Sequence, residues 1–331
     1  MRCTVIGAGA WGTTFAQVLA DGGNDVVVWT QHETTARGIS HQRVNSRYLP
    51  GVSLPESITA TTDLTAALAG SELVVVALPS HVVRDVLEPY RAAVPRDAFV
   101  LSLMKGVELG TDERMSQVLA GIWGVDPARL AVLSGPNLSG EIAARLPTTT
   151  VVASESLETA FAVARVIATP YFRVFTATDM VGVEFGGAVK NVIALAVGIA
   201  QGMGFGDNTN ASIMTRGLSE AARIGVALGA QAETFAGLAG MGDLIATCSS
   251  PLSRNHRLGS FIGQGMTLEQ AVAATGSTAE GAKSCRPILD LANQHGVKAS
   301  IIAAVVAVLY EGLSVNDMVT RLVDRPPRTE D

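Results

Sequence analysis

The chain has 331 residues, of which 48% are hydrophobic and 16% charged, and its formal net charge at pH 7 is -6. This length suits two domains that each bury a substantial core, and the acidic balance excludes long-range attraction to nucleic acid or an anionic membrane. We expect neither a signal peptide nor an apolar run long enough to span a bilayer. The chain has three cysteines, Cys3, Cys248 and Cys285, and they lack metal-ligand spacing. Because their number is odd, we predict buried, reduced thiols in a cytoplasmic protein and no disulfide framework.

Short apolar segments alternate with stretches of helical periodicity in the first half of the chain. The predicted strands are 3–6, 26–29, 73–78, 98–103, 130–134 and 149–153, and the predicted helices include 13–20 and 82–90. Strands that are apolar throughout and alternate with helices are typical of a parallel sheet covered on both faces. We therefore predict an α/β protein whose residues 1–178 form a doubly wound, Rossmann-type domain.

Gly7, Gly9 and Gly12 form a G-x-G-x-x-G motif directly after the first predicted strand. The first glycine permits a tight turn, the second lets the backbone approach a pyrophosphate, and the third allows close packing of helix on strand. Because the motif stands between a strand and a helix, it predicts a dinucleotide site in preference to a merely structural turn.

The residues after the second predicted strand bear on the choice of dinucleotide. Enzymes specific for NAD usually end this strand with an acidic residue that binds the ribose, whereas here Thr30, Gln31 and His32 follow. Since no carboxylate repels a 2′-phosphate, NADP should be tolerated, with His32 or Arg37 near that phosphate. Glu33 begins the next helix, and an ordinary first-turn residue favoured by the helix dipole explains it equally well.

Long runs rich in Ala, Leu, Gly and Val dominate from residue 179 onward, so an all-helical domain is predicted over residues 179–325. The predicted junction is 170–179, and a disordered tail is expected over 326–331. The predicted helices are 181–201, 209–228, 252–261, 278–294 and 301–310.

Lys190 and Asn191 interrupt an otherwise apolar helix. Burying them without partners would be costly, and burial moves the pKa of a lysine down toward the pH at which it can donate a proton. Lys190 is therefore a candidate proton donor. The alternative is a lysine that snorkels to the surface while its stem covers apolar groups.

Polar residues follow the glycine pair Gly240 and Gly242, first at Asp243 and then over residues 250–255. Asp243 either carries chemistry or simply caps the next helix, and the Ser-Pro pair at 250–251 is a suitable N-cap and first helical residue. The Ser-Arg-Asn run at 253–255 offers an arginine fork and two short hydrogen-bonding side chains, which suit phosphate. Its alternative is a solvated helix face.

These motifs resemble those of bacterial NAD(P)-dependent glycerol-3-phosphate dehydrogenases almost from end to end. The resemblance implies an oxidoreductase that interconverts sn-glycerol 3-phosphate and dihydroxyacetone phosphate with NADP or NAD, supplies the glycerol backbone of phospholipids and assembles as a homodimer. The segments that carry it are GAGAWGT (7–13), NSRYLPG (45–51), KGVE (105–108), LSGPN (133–137), GVEFGGAVKNVIALAVGI (182–199), GFGDNT (204–209), TRGLSE (215–220), GLAGMGDLIATC (237–248), SPLSRN (250–255) and AEGAKS (279–284).

The resemblance also implies roles for individual residues, and it implies no metal site. The catalytic residues would be Lys190, Asp243 and Lys105. The substrate would contact Lys105, Gly135, Asn137, Asn191, Asp243, Thr247, Ser253, Arg254 and Asn255. The dinucleotide would contact Gly7, Gly9, Ala10, Trp11, Gly12, Gln31, His32, Lys105, Ser139, Arg254 and Glu280.

Two positions depart from the family pattern. Gln31 stands where members commonly carry Arg or His, and Asn137 stands where they usually have Ser or Thr. Two other functions compete: a β-hydroxyacid dehydrogenase, which also pairs a Rossmann domain with a helical domain and a catalytic lysine, and a regulator that senses NAD(P)H without catalysis. The regulator is disfavoured because a sensor needs no proton donor, whereas this chain has the complete set Lys105, Lys190, Asp243, Arg254 and Asn255.

Overall fold

One eight-stranded sheet organises the N-terminal part of the computed structural model, which describes residues 1–251, 253–276 and 279–323. The strand order is β3-β2-β1-β4-β5-β6-β7-β8. The strands are β1 (Arg2–Ile6), β2 (Asp25–Trp29), β3 (Ile58–Thr61), β4 (Leu73–Val76), β5 (Phe99–Ser102), β6 (Leu130–Ser134), β7 (Thr148–Ala153) and β8 (Phe172–Ala177).

Helices cover both faces of this sheet, which confirms the doubly wound α/β prediction. One apolar core includes Phe15, Leu19 and Val163, and the core on the opposite face includes Leu68 and Leu119. The helices of this part are α1 (Ala10–Asp21), α2 (Glu33–Arg37), α3 (Leu64–Leu68), α4 (Val83–Leu87), α5 (Met115–Trp123), α6 (Ser139–Ala143) and α7 (Leu157–Ile167).

The prediction of a parallel sheet is wrong at one pair of strands, because β6 and β7 run antiparallel. Their connection, residues 135–147, contains only the five-residue helix α6 and returns the chain at the same end of the sheet. A parallel pair would need a crossover that carries the chain back to the opposite end.

Strands β3 and β8 were absent from the sequence prediction. Their sequences, ITAT and FRVFTA, mix polar with apolar residues, and β8 alternates between buried and more accessible positions. They lie at the two edges of the sheet, so they lack the continuous apolar runs of the central strands. The stretch 170–179, predicted as a junction, is therefore mostly strand.

The remainder of the described chain is helical, as predicted. Helix α12 begins at Arg254, two residues later than expected, because Ser253 is its N-cap and accepts a hydrogen bond from His256 N at 3.3 Å. The prediction of a cap at 250–251 is therefore wrong, and the predicted tail 326–331 lies outside the described residues. The helices are α8 (Met180–Gly202), α9 (Asp207–Ala227), α10 (Ala232–Ala236), α11 (Asp243–Ser249), α12 (Arg254–Gly263), α13 (Leu268–Thr275), α14 (Glu280–Gln294), α15 (Ser300–Tyr310) and α16 (Val315–Val323).

Helix α8 forms the centre of the C-terminal core. Its 23 residues are long and apolar enough to cross a bilayer, so the expectation that no run reaches that length is wrong. The helix continues through small and polar residues that interrupt the apolar run in the sequence. Every residue of its apolar window is buried inside the fold, as in the core helix of a globular protein.

Helices α8 and α12 touch backbone to backbone. A Cβ added to Gly198 would lie 2.1 Å from the carbonyl oxygen of His256, and one added to Gly259 would lie 2.3 Å from that of Leu195. No larger residue fits at this crossing without movement of the helices. The contact fixes the position of Arg254, at the start of α12, relative to α8.

Candidate active site

Lys190 lies in the middle of α8 and is only 8% exposed. Its Nζ donates to Asp243 Oδ1 at 2.5 Å and to Thr247 Oγ1 at 2.6 Å. These two partners are four residues apart on α11, so both face α8. An ammonium group held in this way is not at the surface, and the alternative of a snorkelling lysine is wrong.

Asp243 connects the two parts of the molecule. Its side chain is 1% exposed, and its Oδ2 accepts a hydrogen bond from Lys105 Nζ at 2.6 Å. The N-cap of α11 is Gly242, so the alternative in which Asp243 serves only as a cap is wrong. One carboxylate therefore binds a lysine from the loop after β5 and a lysine from α8.

The surroundings of Lys105 change its proton affinity. Burial lowers the pKa of Lys105 to about 8; the carboxylate of Asp243 partly opposes this shift, and the positive charge of Lys190 adds to it. Its Nζ also donates to the carbonyl oxygen of Gly135 at 3.0 Å. With both lysines protonated, two positive charges and one negative charge leave a net positive site, which attracts anions.

A chain of amide hydrogen bonds supports this group. Asn191 Nδ2 donates to the carbonyl oxygen of Lys105 at 3.2 Å, and Asn255 Nδ2 donates to Asn191 Oδ1 at 2.9 Å. Asn255 Oδ1 in turn accepts from Gly281 N at 2.9 Å. Helices α8, α12 and α14 are thereby joined to the backbone that carries Lys105.

The residues predicted to bind phosphate stand at the start of α12. Arg254 is exposed in the first turn, whereas Ser253 and Asn255 are buried on either side of it. The N–H groups of a first helical turn attract anions, and a guanidinium beside them adds a planar pair of donors. This arrangement can hold a phosphate group.

The loop after β6 brings three more predicted residues to the same edge. Gly135 has φ +147°, and a Cβ there would lie 3.1 Å from Thr150 Cα, so glycine is required. Asn137 Nδ2 donates to Thr150 Oγ1 at 3.0 Å, while its Oδ1 is buried with no partner among the described residues. Ser139 begins α6, and its carbonyl accepts from Thr14 of α1 at 3.3 Å.

The glycine-rich turn has the geometry that a dinucleotide needs. A Cβ on Gly7 would lie 2.7 Å from Ala77 O, and one on Gly12 would lie 1.9 Å from Gly7 O, whereas Gly9 faces open space. The indole Nε1 of Trp11, in the first turn of α1, is buried with no acceptor in the described part of the chain. Such a turn with open space at the helix N-terminus fits a pyrophosphate.

The end of β2 leaves coenzyme choice open. Gln31 and His32 are exposed after the strand, and Glu33 begins α2, where it pairs with Arg37 at 3.0 Å. Both partners are largely exposed, and such pairs contribute little stability. Glu33 fits its interpretation as a first-turn residue, and a phosphate could draw Arg37 away from it.

Glu280 lies at the start of α14 and reaches the other part of the molecule. Its carboxylate accepts from Ser80 Oγ at 2.5 Å and Ser80 N at 3.3 Å. Ser80 was not predicted from the sequence, and neither was Ser134, whose Oγ lies 3.5 Å from Asp243 Oδ2. Both serines come at or just beyond the carboxyl ends of apolar strands, where open α/β sheets bind ligands, and this position is the signal that could have identified them.

The three cysteines are free and buried, as predicted. Burial raises the pKa of Cys3, Cys248 and Cys285 to about 12. Cys248 lies on α11 near Lys190, whose charge lowers its pKa only partly. These thiols are not nucleophiles near neutral pH.

Comparison with known proteins assigns the family. The family model described as "NAD-dependent glycerol-3-phosphate dehydrogenase N-terminus" matches residues 2–160, and the corresponding "C-terminus" model matches residues 179–320. A Frankia casuarinae protein named "Glycerol-3-phosphate dehydrogenase [NAD(P)+]" is 52% identical over 99% of this chain and 98% of its own length. A protein of the same name from Corynebacterium glutamicum is 51% identical over 99% of both chains.

Solved structures agree with this assignment. Glycerol-3-phosphate dehydrogenase from Coxiella burnetii is 34% identical and superposes with a TM-score of 0.93 over 98% of this chain and 99% of its own. D-Mandelate dehydrogenase, at 13% identity and a TM-score of 0.61, shares the fold alone. The chain belongs to the NAD-dependent glycerol-3-phosphate dehydrogenase family, and it is an enzyme that interconverts glycerol 3-phosphate and dihydroxyacetone phosphate with NAD(P)(H).

Proposed function

We propose that Lys190 is the acid that protonates the C2 oxygen of dihydroxyacetone phosphate, and the base that removes this proton in the reverse direction. The observation that carries the proposal is the buried carboxylate of Asp243, held between Lys190 at 2.5 Å and Lys105 at 2.6 Å. Asp243 and Thr247 orient the ammonium group. When bound, the nicotinamide of the coenzyme supplies the hydride that reduces C2.

The charge of the site favours this proton transfer. Negative charge develops on the carbonyl oxygen during reduction, and two ammonium groups around one carboxylate stabilise it electrostatically. Lys105 keeps the site positive below about pH 8. Asn191 holds the backbone of Lys105 in place, so that it restricts motion of the second lysine.

We assign substrate phosphate to the start of α12, with Ser253, Arg254 and Asn255 around it. Gly135 and Asn137 lie on the substrate side of the loop after β6, and the unpartnered Asn137 Oδ1 is an acceptor for a substrate hydroxyl. The residues assigned to the dinucleotide are Gly7, Gly9, Ala10, Trp11, Gly12, Gln31, His32, Lys105, Ser139, Arg254 and Glu280.

We also propose the wider organisation that the family suggests. Residues 1–178 bind the dinucleotide and residues 179–325 bind the substrate. The enzyme works in the cytoplasm as a homodimer and supplies glycerol 3-phosphate for phospholipid synthesis.

The two competing functions have less support. The family assignment excludes a sensor without catalysis. The likeness to D-mandelate dehydrogenase is one of fold, so it favours no hydroxyacid substrate. A hydroxyacid dehydrogenase would oxidise hydroxyacids and leave glycerol 3-phosphate unchanged, which a single assay with both substrates checks.

Lys190→Ala tests the proton donor. We expect kcat for NADPH-dependent reduction of dihydroxyacetone phosphate to fall by roughly 10² to 10⁴, the usual contribution of general acid–base catalysis, with the NADPH dissociation constant nearly unchanged. Lys190→Arg should recover little, because guanidinium does not release a proton near neutral pH. Lys298→Ala, at an exposed lysine, is the control. A substantially active Lys190→Ala enzyme would show that the proton comes from another group.

A further inference from the structure

Asn45 is a buried side chain that contacts the glycine-rich turn. It is 2% exposed, and its Nδ2 donates to Ala8 O at 2.8 Å and to Thr13 Oγ1 at 2.7 Å. Its Oδ1 accepts from Tyr48 N at 3.3 Å, and its own carbonyl accepts from Leu49 N at 2.9 Å. Asn45 therefore ties a closed loop, residues 45–49, to the turn between β1 and α1.

The hydrogen bond to Ala8 O also orients the Ala8–Gly9 peptide unit. Thr13 Oγ1 also donates to Ala8 O, at 3.2 Å, so this oxygen has two side-chain donors. A trans peptide unit is planar, and its C=O and N–H point to opposite sides; the described chain contains no cis peptide. Holding Ala8 O on one side therefore aims the N–H of Gly9 toward the other side.

The N–H of Gly9 is the group that this geometry makes available. Gly9 is the N-cap of α1, and no acceptor for its N–H occurs in the described residues. A Cβ built on Gly9 would meet nothing within 4 Å, in contrast to the crowded Gly7 and Gly12. A donor that faces open space at a helix N-terminus is suited to bind an anion.

We infer that Asn45 is a positioning residue for the dinucleotide: it holds the Ala8–Gly9 peptide so that the Gly9 N–H is presented to the pyrophosphate. This inference rests on the dinucleotide site of the proposed function. Asn45 is buried and acts through the carbonyl of Ala8, and Thr13 acts with it on the same carbonyl.

Asn24 provides a matched control at the other end of α1. It is 7% exposed, and its Nδ2 donates to Leu19 O at 2.8 Å and to Val166 O at 3.1 Å. Asn24 and Asn45 thus share residue type, burial and bonds to main-chain carbonyls. They differ in that only Asn45 bonds to the glycine-rich turn.

The test compares Asn45→Ala with Asn24→Ala in the full-length enzyme. We expect the NADPH dissociation constant, measured by titration calorimetry, to rise at least tenfold in Asn45→Ala, or about 1.4 kcal/mol. The affinity of Asn45→Ala for ADP-ribose, which retains the pyrophosphate, should fall by a similar factor. KM for dihydroxyacetone phosphate should stay within twofold of the parent value. The two variants should lower the melting temperature by comparable amounts. The NADPH affinity of Asn24→Ala, however, should stay within twofold of the parent value.

Thr13→Val supplies a second route, which keeps the inference testable if Asn45→Ala does not fold. It should also weaken NADPH binding, and the loss in the double variant should be smaller than the sum of the two single losses, because both residues act through one carbonyl. Unchanged NADPH affinity in Asn45→Ala or in Thr13→Val, or equal loss in Asn24→Ala, would overturn the role of Asn45. A parent enzyme that bound neither NADPH nor NADH would overturn the dinucleotide site, and this role with it.

Discussion

The shared carboxylate of Asp243 makes a prediction about the proton affinity of Lys105. Three influences act on this lysine: burial lowers its pKa, Asp243 raises it, and Lys190 lowers it, with the balance at about 8. Asp243→Asn removes the only one of these that favours the charged form. The pKa of Lys105 should therefore fall in this variant, whereas Lys190→Met should raise it by removing a like charge.

The size of the change follows from the contact. The Lys105 ammonium lies 2.6 Å from the Asp243 carboxylate, and an opposite charge this close typically moves a pKa by about 1 to 3 units. With a pKa of about 8, Lys105 is about nine-tenths protonated at pH 7 and about one-tenth protonated at pH 9. Since the protonated form gives the site its net positive charge, kcat/KM for dihydroxyacetone phosphate reduction should fall as pH rises through about 8.

Carbon NMR of enzyme labelled at the lysine ε-carbons, recorded as a function of pH, measures the pKa of Lys105 directly. The chain has four lysines, Lys105, Lys190, Lys283 and Lys298, so the spectrum is simple. The signal that disappears in Lys105→Arg assigns the resonance. If the Lys105 midpoint in Asp243→Asn equals or exceeds that of the parent enzyme, Asp243 does not control its charge, and the electrostatic account of the site is incorrect.

Three further outcomes are expected. Arg254→Lys should raise KM for dihydroxyacetone phosphate strongly, because a point charge cannot form two parallel hydrogen bonds to phosphate; a kcat/KM within about twofold of the parent value would exclude Arg254 as the phosphate residue. Thr30→Asp should shift preference from NADPH toward NADH in paired kinetic assays, because the new carboxylate repels a 2′-phosphate. A parent enzyme that already prefers NADH by more than about tenfold would contradict the interpretation of the missing acidic residue after β2. Gly259→Ala should destabilise the protein by about 1 to 3 kcal/mol in denaturant titrations, because its Cβ would lie 2.3 Å from Leu195 O. The control Gly121→Ala, in open space on α5, should not destabilise the protein. Equal stability of the two variants would exclude the close crossing of α8 and α12.

Local sequence signals predicted the parts of the molecule that depend on neighbours in the chain. The central strands are continuous apolar blocks, and the glycine-rich turn has a fixed spacing, so both could be recognised from the sequence. Lys190 stood out because a charged residue within an apolar helix needs a partner. The strands β3 and β8 were missed because an edge strand has one accessible side and no continuous apolar run.

Contacts between distant segments could not be predicted in this way. Asp243 is 53 residues from Lys190 and 138 from Lys105 in the chain, and nothing in the local pattern distinguished it from a helix cap. The 250–251 pair was predicted as a cap from residue type alone, whereas Ser253 is the N-cap of α12 and accepts from His256 N. The partner of a polar residue is set by the packing of helices, which the local pattern does not encode.

The way the helices pack also explains why the site can be both buried and charged. Helix α8 supplies Lys190 and Asn191 and is held to the N-terminal part by Glu184, whose carboxylate accepts from Arg114 Nη1 at 2.8 Å and from Ser116 N at 2.7 Å. Buried ion pairs repay their desolvation only when their geometry is fixed. Because α8 is fixed at Glu184 and again where it crosses α12, the Asp243 carboxylate meets both lysines at hydrogen-bonding distance. The charge of the site therefore depends on the packing of one helix against both parts of the chain.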